Sequence, residues 1–390
     1  MKIILLYDYL SEIGGVERVI ATHARWLKQA GHEVLLLFNY VNPKTKDYSF
    51  LKGQDIREIA TLKKGGESLK MFSALFGFNS LKLYNPDLVI AYSFPSIFTS
   101  RVLKCKKAFY YLPMEFIYFP LRKRWEWAND RKRKVTFFTS LLLAPFLKMM
   151  DKRWIKDKLI IANSDFTRRE IKKRYNASSI ISYPPLNTIF HPIKDVKATL
   201  KKFNLKNNFV LTAGRIVPDK KTDWLVEIFS KLKNKKLDFV VAGGIAEDYK
   251  KTLLCLAKRL KVQDRVKLIG LVDQKELVKL YSACEIFIFA SPEEAFGLVP
   301  IEALACGTPV VAWNDNAGPN EYVINNVNGY LAKPYDLDDF VKKVERILTA
   351  KFKIKNQKKI IDSVKKFSEN SQYYIFKKEI ESFYKKSLRR

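Results

Sequence analysis

The feature that most constrains this chain is an alternation that runs through it twice, in which short apolar runs are separated by longer amphipathic stretches. Residues 2–7, 33–38, 88–92, 108–112 and 159–163 are rich in Ile, Leu, Val, Phe and Tyr and read as buried strands. Stretches between them, such as residues 16–30, carry helical periodicity instead. A second series follows at residues 209–212, 238–242, 266–269, 285–290 and 309–313. Strands that alternate with helices predict parallel sheets covered on both faces, because a parallel connection needs a crossover long enough to hold a helix. With 390 residues and 47% hydrophobic content, the chain can bury two such cores. The expected domains are residues 1–187 and 208–369. Prolines 184, 185 and 192 and the polar stretch 194–208 put the hinge between them, and residues 370–390 read as a terminal helix.

The chemistry-bearing stretch is residues 291–309, SPEEAFGLVPIEALACGTP. The apolar run CEIFIFA before it reads as a strand, and residues 299–306 read as a helix that stops at Gly307 before Pro309. A strand, a Gly-containing turn and a helix in that order present free backbone N–H groups and the positive end of a helix dipole, which favours anions such as phosphate. Glu294 falls at the strand mouth and Glu302 on the helix. Carboxylates accept hydrogen bonds from the vicinal hydroxyls of sugars and riboses, although acidic residues also open helices for dipole reasons alone. Upstream, FVLTAGRIVPDKK places Arg215 and Lys220 beyond another strand. A guanidinium fork and a mobile ammonium suit a diphosphate that gains charge as it departs. In a chain with 71 Lys and Arg, two solvated surface cations are the plainer reading.

Read together, these segments resemble retaining glycosyltransferases of family 4, whose Glu-x7-Glu signature has the form EGFGLxxxEAxAxGxPV; Ala295 stands where Gly is usual. The resemblance implies an α/β fold of GT-B architecture, two doubly wound Rossmann-like domains facing a central cleft, with the terminal helix packing back on the first. It implies that Glu294 contacts the donor sugar and Glu302 the ribose, with Phe296, Gly297 and Leu298 in the same nucleotide-sugar site. GRIVPDKK is similar to the family's phosphate-binding GRxxxEKG; it keeps Arg215 and Lys220, has Asp219 for Glu, and has Lys221 for Gly. Arg215, Lys220 and Glu294 are therefore the candidate catalytic residues. Gly14 and Gly15, after the strand MKIILLYDY, match the glycine-rich first loop that lies near the donor diphosphate, though a lone Gly-Gly is otherwise a turn. Residues 161–185, with Ala-Asn-Ser and Tyr-Pro-Pro, and residues 314–331 extend the likeness over most of the chain. One segment departs: YYLPME at 110–115 resembles the YCHTPMR of a mannosyltransferase-rich branch, but Tyr111 stands at the His position and Glu115 at the Arg position. That change implies a different donor or acceptor, or an inactive member.

The leading expectation is a hexosyltransferase that uses a nucleotide diphosphate sugar, in the narrowest form mannose from GDP-mannose, and a glycan or lipid-linked glycan as acceptor. No metal or other cofactor is expected, since Arg215, Lys220 and a helix N-terminus can take a divalent cation's place at the diphosphate. His23, His32 and His191 are scattered, and Cys105, Cys255, Cys284 and Cys306 lack CxxC spacing, so reduced thiols are expected. The net charge of +31 needs its own explanation. Arg122-Lys123-Arg124 and the basic run 131–134 flank Trp125 and Trp127, and an apolar stretch 137–147 follows, a mixture that suits an anionic membrane surface or an ordinary core helix with a solvated neighbour. Nucleic acid competes for the same charge, but nothing resembles a nucleic-acid motif. No apolar run reaches the roughly 18 residues of a membrane span, and residues 1–10 turn acidic at Asp8, so a cytoplasmic, peripheral protein is expected. Two alternatives remain: a non-catalytic basic module docking on membrane or nucleic acid, and a transferase with a soluble acceptor.

Overall fold

The computed structural model describes residues 1–10, 14–42, 51–59, 84–92, 96–103, 105–110, 131–156, 158–205 and 208–388. The chain divides into two compact units, Met1–Pro185 with Asn370–Arg390, and Leu186–Glu369.

The first unit runs β1 (Lys2–Leu10), α1 (Gly15–Gln29), β2 (Glu33–Val41), β3 (Ile56–Glu58), β4 (Leu88–Tyr92), α2 (Ser96–Thr99), β5 (Lys106–Tyr110), α3 (Arg131–Ile155), β6 (Leu159–Ala162), α4 (Asp165–Tyr175) and β7 (Ile180–Ile181). Its sheet has the order β3-β2-β1-β4-β5-β6-β7, and every pairing is parallel. Successive side chains of a strand point to opposite faces. Ile3 and Leu5 accordingly join one apolar layer with Val19, Ile20 and Leu27 of α1, while Ile4 and Leu6 join the layer on the other face with Ile155 and Ile171. Burial on both faces explains why β1 and β2 lack the polar alternation of a half-exposed strand. Local chemistry sets the helix ends: Ser164 caps α4 by accepting from the Thr167 N–H at 3.0 Å, and Asn176 closes it in the left-handed region at φ 52°.

The second unit runs α5 (Lys197–Lys202), β8 (Phe209–Ala213), α6 (Thr222–Lys231), β9 (Asp238–Ala242), α7 (Glu247–Arg259), β10 (Val266–Gly270), α8 (Gln274–Ala283), β11 (Ile286–Ile288), α9 (Leu298–Ala305), β12 (Val310–Trp313), β13 (Gly329–Ala332), α10 (Leu337–Thr349) and α11 (Phe352–Asp362). Its sheet, β10-β9-β8-β11-β12-β13, is again wholly parallel. The last helix, α12 (Glu369–Leu388), returns to the first unit. There Phe376 and Ile380 complete the layer built on Ile3 and Leu5, and Phe376 stacks on His23 at 3.8 Å between ring centroids.

The apolar runs read as strands all coincide with strands of these sheets, with ends that move by a few residues. The short β3 and β7 were not anticipated, because two or three residues at a sheet edge leave too brief a pattern. The boundary between the units, at Pro185 and Leu186, falls within the segment expected to hold the hinge, and the remainder of that segment belongs to the second unit. Leu186 N–H donates to the Phe367 carbonyl at 2.7 Å, Phe190 is buried against Tyr281, and Ile193 N–H donates to Ser282 Oγ at 3.0 Å. Its prolines stiffen a covering strap, and polarity alone does not mark a linker. The four cysteines are free thiols, of which Cys284 and Cys306 are buried and Cys255 is exposed.

Candidate active site

In an open parallel sheet, ligands bind beyond the carboxyl ends of the strands where the strand order reverses, because loops leaving neighbouring strands there go to opposite faces and open a crevice. In the second unit this point lies between β8 and β11, paired through Val210↔Ile286 and Leu211↔Phe287. The two segments singled out in the sequence leave those two strands.

The loop after β8 begins with a close backbone approach. Gly214 has φ 126° and Gly243 has φ 148°, and a Cβ on Gly243 would lie 1.7 Å from the Gly214 carbonyl oxygen. Only glycine fits there. Arg215 follows, exposed and making no hydrogen bond or ion pair to the described residues. One 3-10 turn, Pro218–Lys220, then leads to Lys221, which holds the left-handed conformation at φ 54° that a glycine would adopt without strain. Substituting Lys for Gly at this position therefore leaves the turn intact, and Lys221 Nζ rests 5.2 Å from the Trp224 ring centre.

The loop after β11 faces it. Glu294 Oε2 accepts from Lys220 Nζ at 2.6 Å and from Ser291 Oγ at 2.8 Å, with both side chains of the ion pair only partly exposed. The loop's backbone is braced from behind. Glu293, at φ 47°, donates its N–H to Asp315 Oδ2 at 2.8 Å, and Gly318 N–H donates to the Glu294 carbonyl at 2.8 Å. A Cβ on Gly318 would sit 2.4 Å from Phe296 Cα, and the Tyr322 hydroxyl lies 2.9 Å from the Phe296 carbonyl and 3.0 Å from that of Gly297. Gly297, at φ 81°, turns the chain into α9, where Leu298 is the first residue. Glu302 lies on the buried side of α9, and its Oε2 accepts from the Tyr281 hydroxyl at 3.1 Å.

Burial raises the Asp315 carboxyl above the usual carboxylate range, against the pull of the N–H groups of Glu293 and Ala317. Burial, and next the charge of Glu294, raises the Tyr322 phenol well above its ordinary value, so it stays a donor at neutral pH. Tyr335 is pushed up to about 12, chiefly by burial and then by Asp315, whose Oδ2 is 3.5 Å from its hydroxyl.

The structure thus brings Lys220 and Glu294 into contact, places Arg215 on the same loop as Lys220, and sets Phe296, Gly297, Leu298 and Glu302 on the turn and helix that follow Glu294. Gly14 and Gly15 belong to the first unit, where Gly14 is the N-cap and Gly15 the first residue of α1. Residues 12 and 13, the 111–115 segment and the basic-aromatic run through Trp125 and Trp127 lie outside the described residues. Sequence reading missed Ser291, Tyr281, Asp315, Gly318 and Tyr322. Ser291 stood next to the motif and was legible as a hydroxyl within reach of Glu294. Tyr281, on α8, had no local signal at all.

Two parallel α/β units, each doubly wound, with cations and carboxylates at the strand ends of the second, form the GT-B architecture of glycosyltransferases. Residues 195–372 match the model for glycosyl transferases group 1, and residues 13–184 match the model for Glycosyltransferase Family 4. The two glycosyltransferase models thus match successive parts of the chain, one over most of each unit. Among curated relatives, the D-inositol 3-phosphate glycosyltransferase of Mycolicibacterium smegmatis is 30% identical over 200 residues, covering 49% of this chain and 45% of its own. The mannosylfructose-phosphate synthase of Agrobacterium fabrum is 29% identical over 160 residues, covering 38% and 35% respectively. The chain therefore spans less than half the length of these relatives. Among solved structures, Anabaena HepE in complex with UDP and glucose superposes with a TM-score of 0.76 at 18% identity, over 98% of this chain and 100% of that one, a likeness of fold.

Proposed function

We propose that the protein is a retaining glycosyltransferase that moves a hexose from a nucleotide diphosphate sugar to a hydroxyl of a glycan, including a lipid-linked one at the cytoplasmic face of a membrane. The observation that carries this reading is the 2.6 Å contact between Lys220 and Glu294, which joins the loop suited to a diphosphate to the loop suited to a sugar. With no donor bound, each of the two charges satisfies the other. An arriving donor offers Lys220 a diphosphate and offers Glu294 sugar hydroxyls, so one molecule replaces both halves of the pair. Arg215, exposed beside them, adds a planar donor fork for the diphosphate. As the bond to the anomeric carbon breaks, negative charge builds on the leaving phosphate, and stabilisation by positioned cations lowers that barrier directly. Glu302 holds the ribose, with its carboxylate steadied by Tyr281. Retention by front-face attack, aided by the leaving phosphate, is what the family resemblance implies.

Mannose from GDP-mannose is the narrow form of the proposal, supported by the family's mannosyltransferase-rich branch and by the mannosyl product in the Agrobacterium relative's name. The UDP and glucose in the Anabaena structure make UDP-glucose the second donor to test. Calorimetric titration with GDP, UDP and ADP of the wild type, Arg215→Ala and Glu302→Ala tests the reading without knowledge of the acceptor. Selective binding of one nucleotide, weakened in both variants, is expected. A folded protein that binds none of the three would replace the enzyme with a non-catalytic basic binding module.

A further inference from the structure

The helix α3 is built for two partners, and the structure supplies one. Its inward side is buried at Phe137, Asp151 and Ile155, with Ile155 in the layer that holds Ile4 and Leu6 and Asp151 accepting from the Tyr175 hydroxyl of α4 at 2.5 Å. Its outward side is apolar. Leu142 is 83% exposed, Met149 59% and Phe146 56%, and Leu141 and Leu143 are exposed beside them. A helix that is apolar all round is ordinarily buried all round, and a contiguous exposed apolar patch marks an interaction surface.

The charges around this patch select the partner. Residues 135–147 contain no charged side chain, while every charged residue of α3 other than Asp151 is Lys or Arg. Lys134 lies exposed on one side of the uncharged run, and Lys148, Lys152 and Arg153 lie exposed on the other. An acidic or neutral protein surface would satisfy either the patch or the cations; an anionic lipid surface satisfies both, with phosphates at the rim and acyl chains beneath. The uncharged run rises about 1.5 Å per residue, roughly 20 Å in all, against a hydrocarbon core of about 30 Å. It is too short to cross, and no helix among the described residues is long and apolar enough to do so.

We propose that the outward face of α3 lies in the headgroup region of a bilayer containing anionic phospholipid, with Leu142, Phe146 and Met149 inserted and the flanking cations on the headgroups. The proposal does not depend on the donor chemistry, since docking needs no turnover.

Sedimentation of the full chain with vesicles of phosphatidylcholine and phosphatidylglycerol, compared with phosphatidylcholine alone, tests it. Binding to the anionic vesicles is expected, weakened about fivefold for each cation neutralised, and weakened again by high salt. Leu142→Glu with Phe146→Glu should lower partitioning about a hundredfold, as removal of two inserted side chains predicts. The pair Leu142→Ser with Phe146→Ser gives the same direction without added charge, and an unchanged far-ultraviolet spectrum confirms that the helix persists. Ile354→Glu, at a position 79% exposed on α11, should leave binding as in the wild type. Three results would overturn the proposal: no binding to anionic vesicles by the wild type; binding that both double variants retain in full; or a wild-type dimer that the double variants convert to monomer while vesicles bind neither, which would make the face a contact between copies.

Discussion

The two sheets of this protein have the same winding and opposite uses of their reversal points. In the second unit, the loops leaving β8 and β11 carry Arg215, which is exposed, and Lys220 and Glu294, which are half-buried and paired with each other. In the first unit, the strands at the equivalent point are β1 and β4, and the carboxylate there is Asp8, which is buried. Asp8 Oδ1 accepts from the Ser96 N–H at 2.6 Å and from Asn39 Nδ2 at 3.3 Å, as well as from the Ser96 hydroxyl. One carboxylate is held as a structural tie and the other is available as a binding group. The winding is the same in both units, and the residues at the strand ends are what differ.

The sharpest way to break this contrast is to remove a cation. Arg215→Ala and Lys220→Ala should each lower kcat for sugar transfer about 10²- to 10³-fold, as expected when one preorganised stabiliser of transition-state charge is lost, while thermal stability barely changes. Steady-state rates beside melting curves will show this. Next in size is the scaffold beneath those cations. Gly243→Ala would drive a Cβ into the Gly214 carbonyl, and a loss of about 3 kcal/mol in urea unfolding is expected, together with weaker nucleotide binding because the start of the Arg215 loop is displaced. On the other side of the comparison, Asp8→Ala should cost about 2–3 kcal/mol by leaving buried donors unmet, yet leave nucleotide affinity as it was. If Asp8→Ala instead abolished nucleotide binding in a folded protein, the assignment of Asp8 to structure would fail.

A further effect depends on pH. Burial pushes the His23 imidazole down to about 3 from its ordinary 6.5. As pH falls through 6.5 the unfolded chain takes up a proton at His23 and the folded chain does not, so stability should fall by roughly 1.4 kcal/mol per pH unit until about pH 3. His23→Gln should flatten that slope in melts between pH 6.5 and 4. The smallest expected change is at Tyr281→Phe: loss of one hydrogen bond to Glu302, about 1 kcal/mol, should raise KM for the donor several-fold with kcat unchanged.

The parts of the fold legible in the sequence were those with a local cause. Continuous apolar runs such as 33–38 and 238–242 marked strands buried on both faces, and Gly307 before Pro309 marked where α9 stops. Edge strands β3 and β7 escaped because they are too short to carry a period. The hinge expected over 183–208 does contain the boundary at 185/186, but its extent was not legible, because prolines and polarity describe a segment's own preferences and leave out what residues 186–205 pack against.

The same division runs through the candidate site. The sequence by itself determined the two doubly wound halves, the GR…K and Glu-x7-Glu groups and their net sense of charge, since spacing along one strand, turn and helix is a short-range property. Tertiary structure alone decided that Lys220 would meet Glu294 across 74 residues of chain, that Tyr281 would hold Glu302, that Gly318 and Tyr322 would brace the turn at Phe296 and Gly297, and that α3 would bury one side and expose the other. Those pairings follow from which strands lie side by side and which helix face is covered, and these are settled only when the whole core is packed at once.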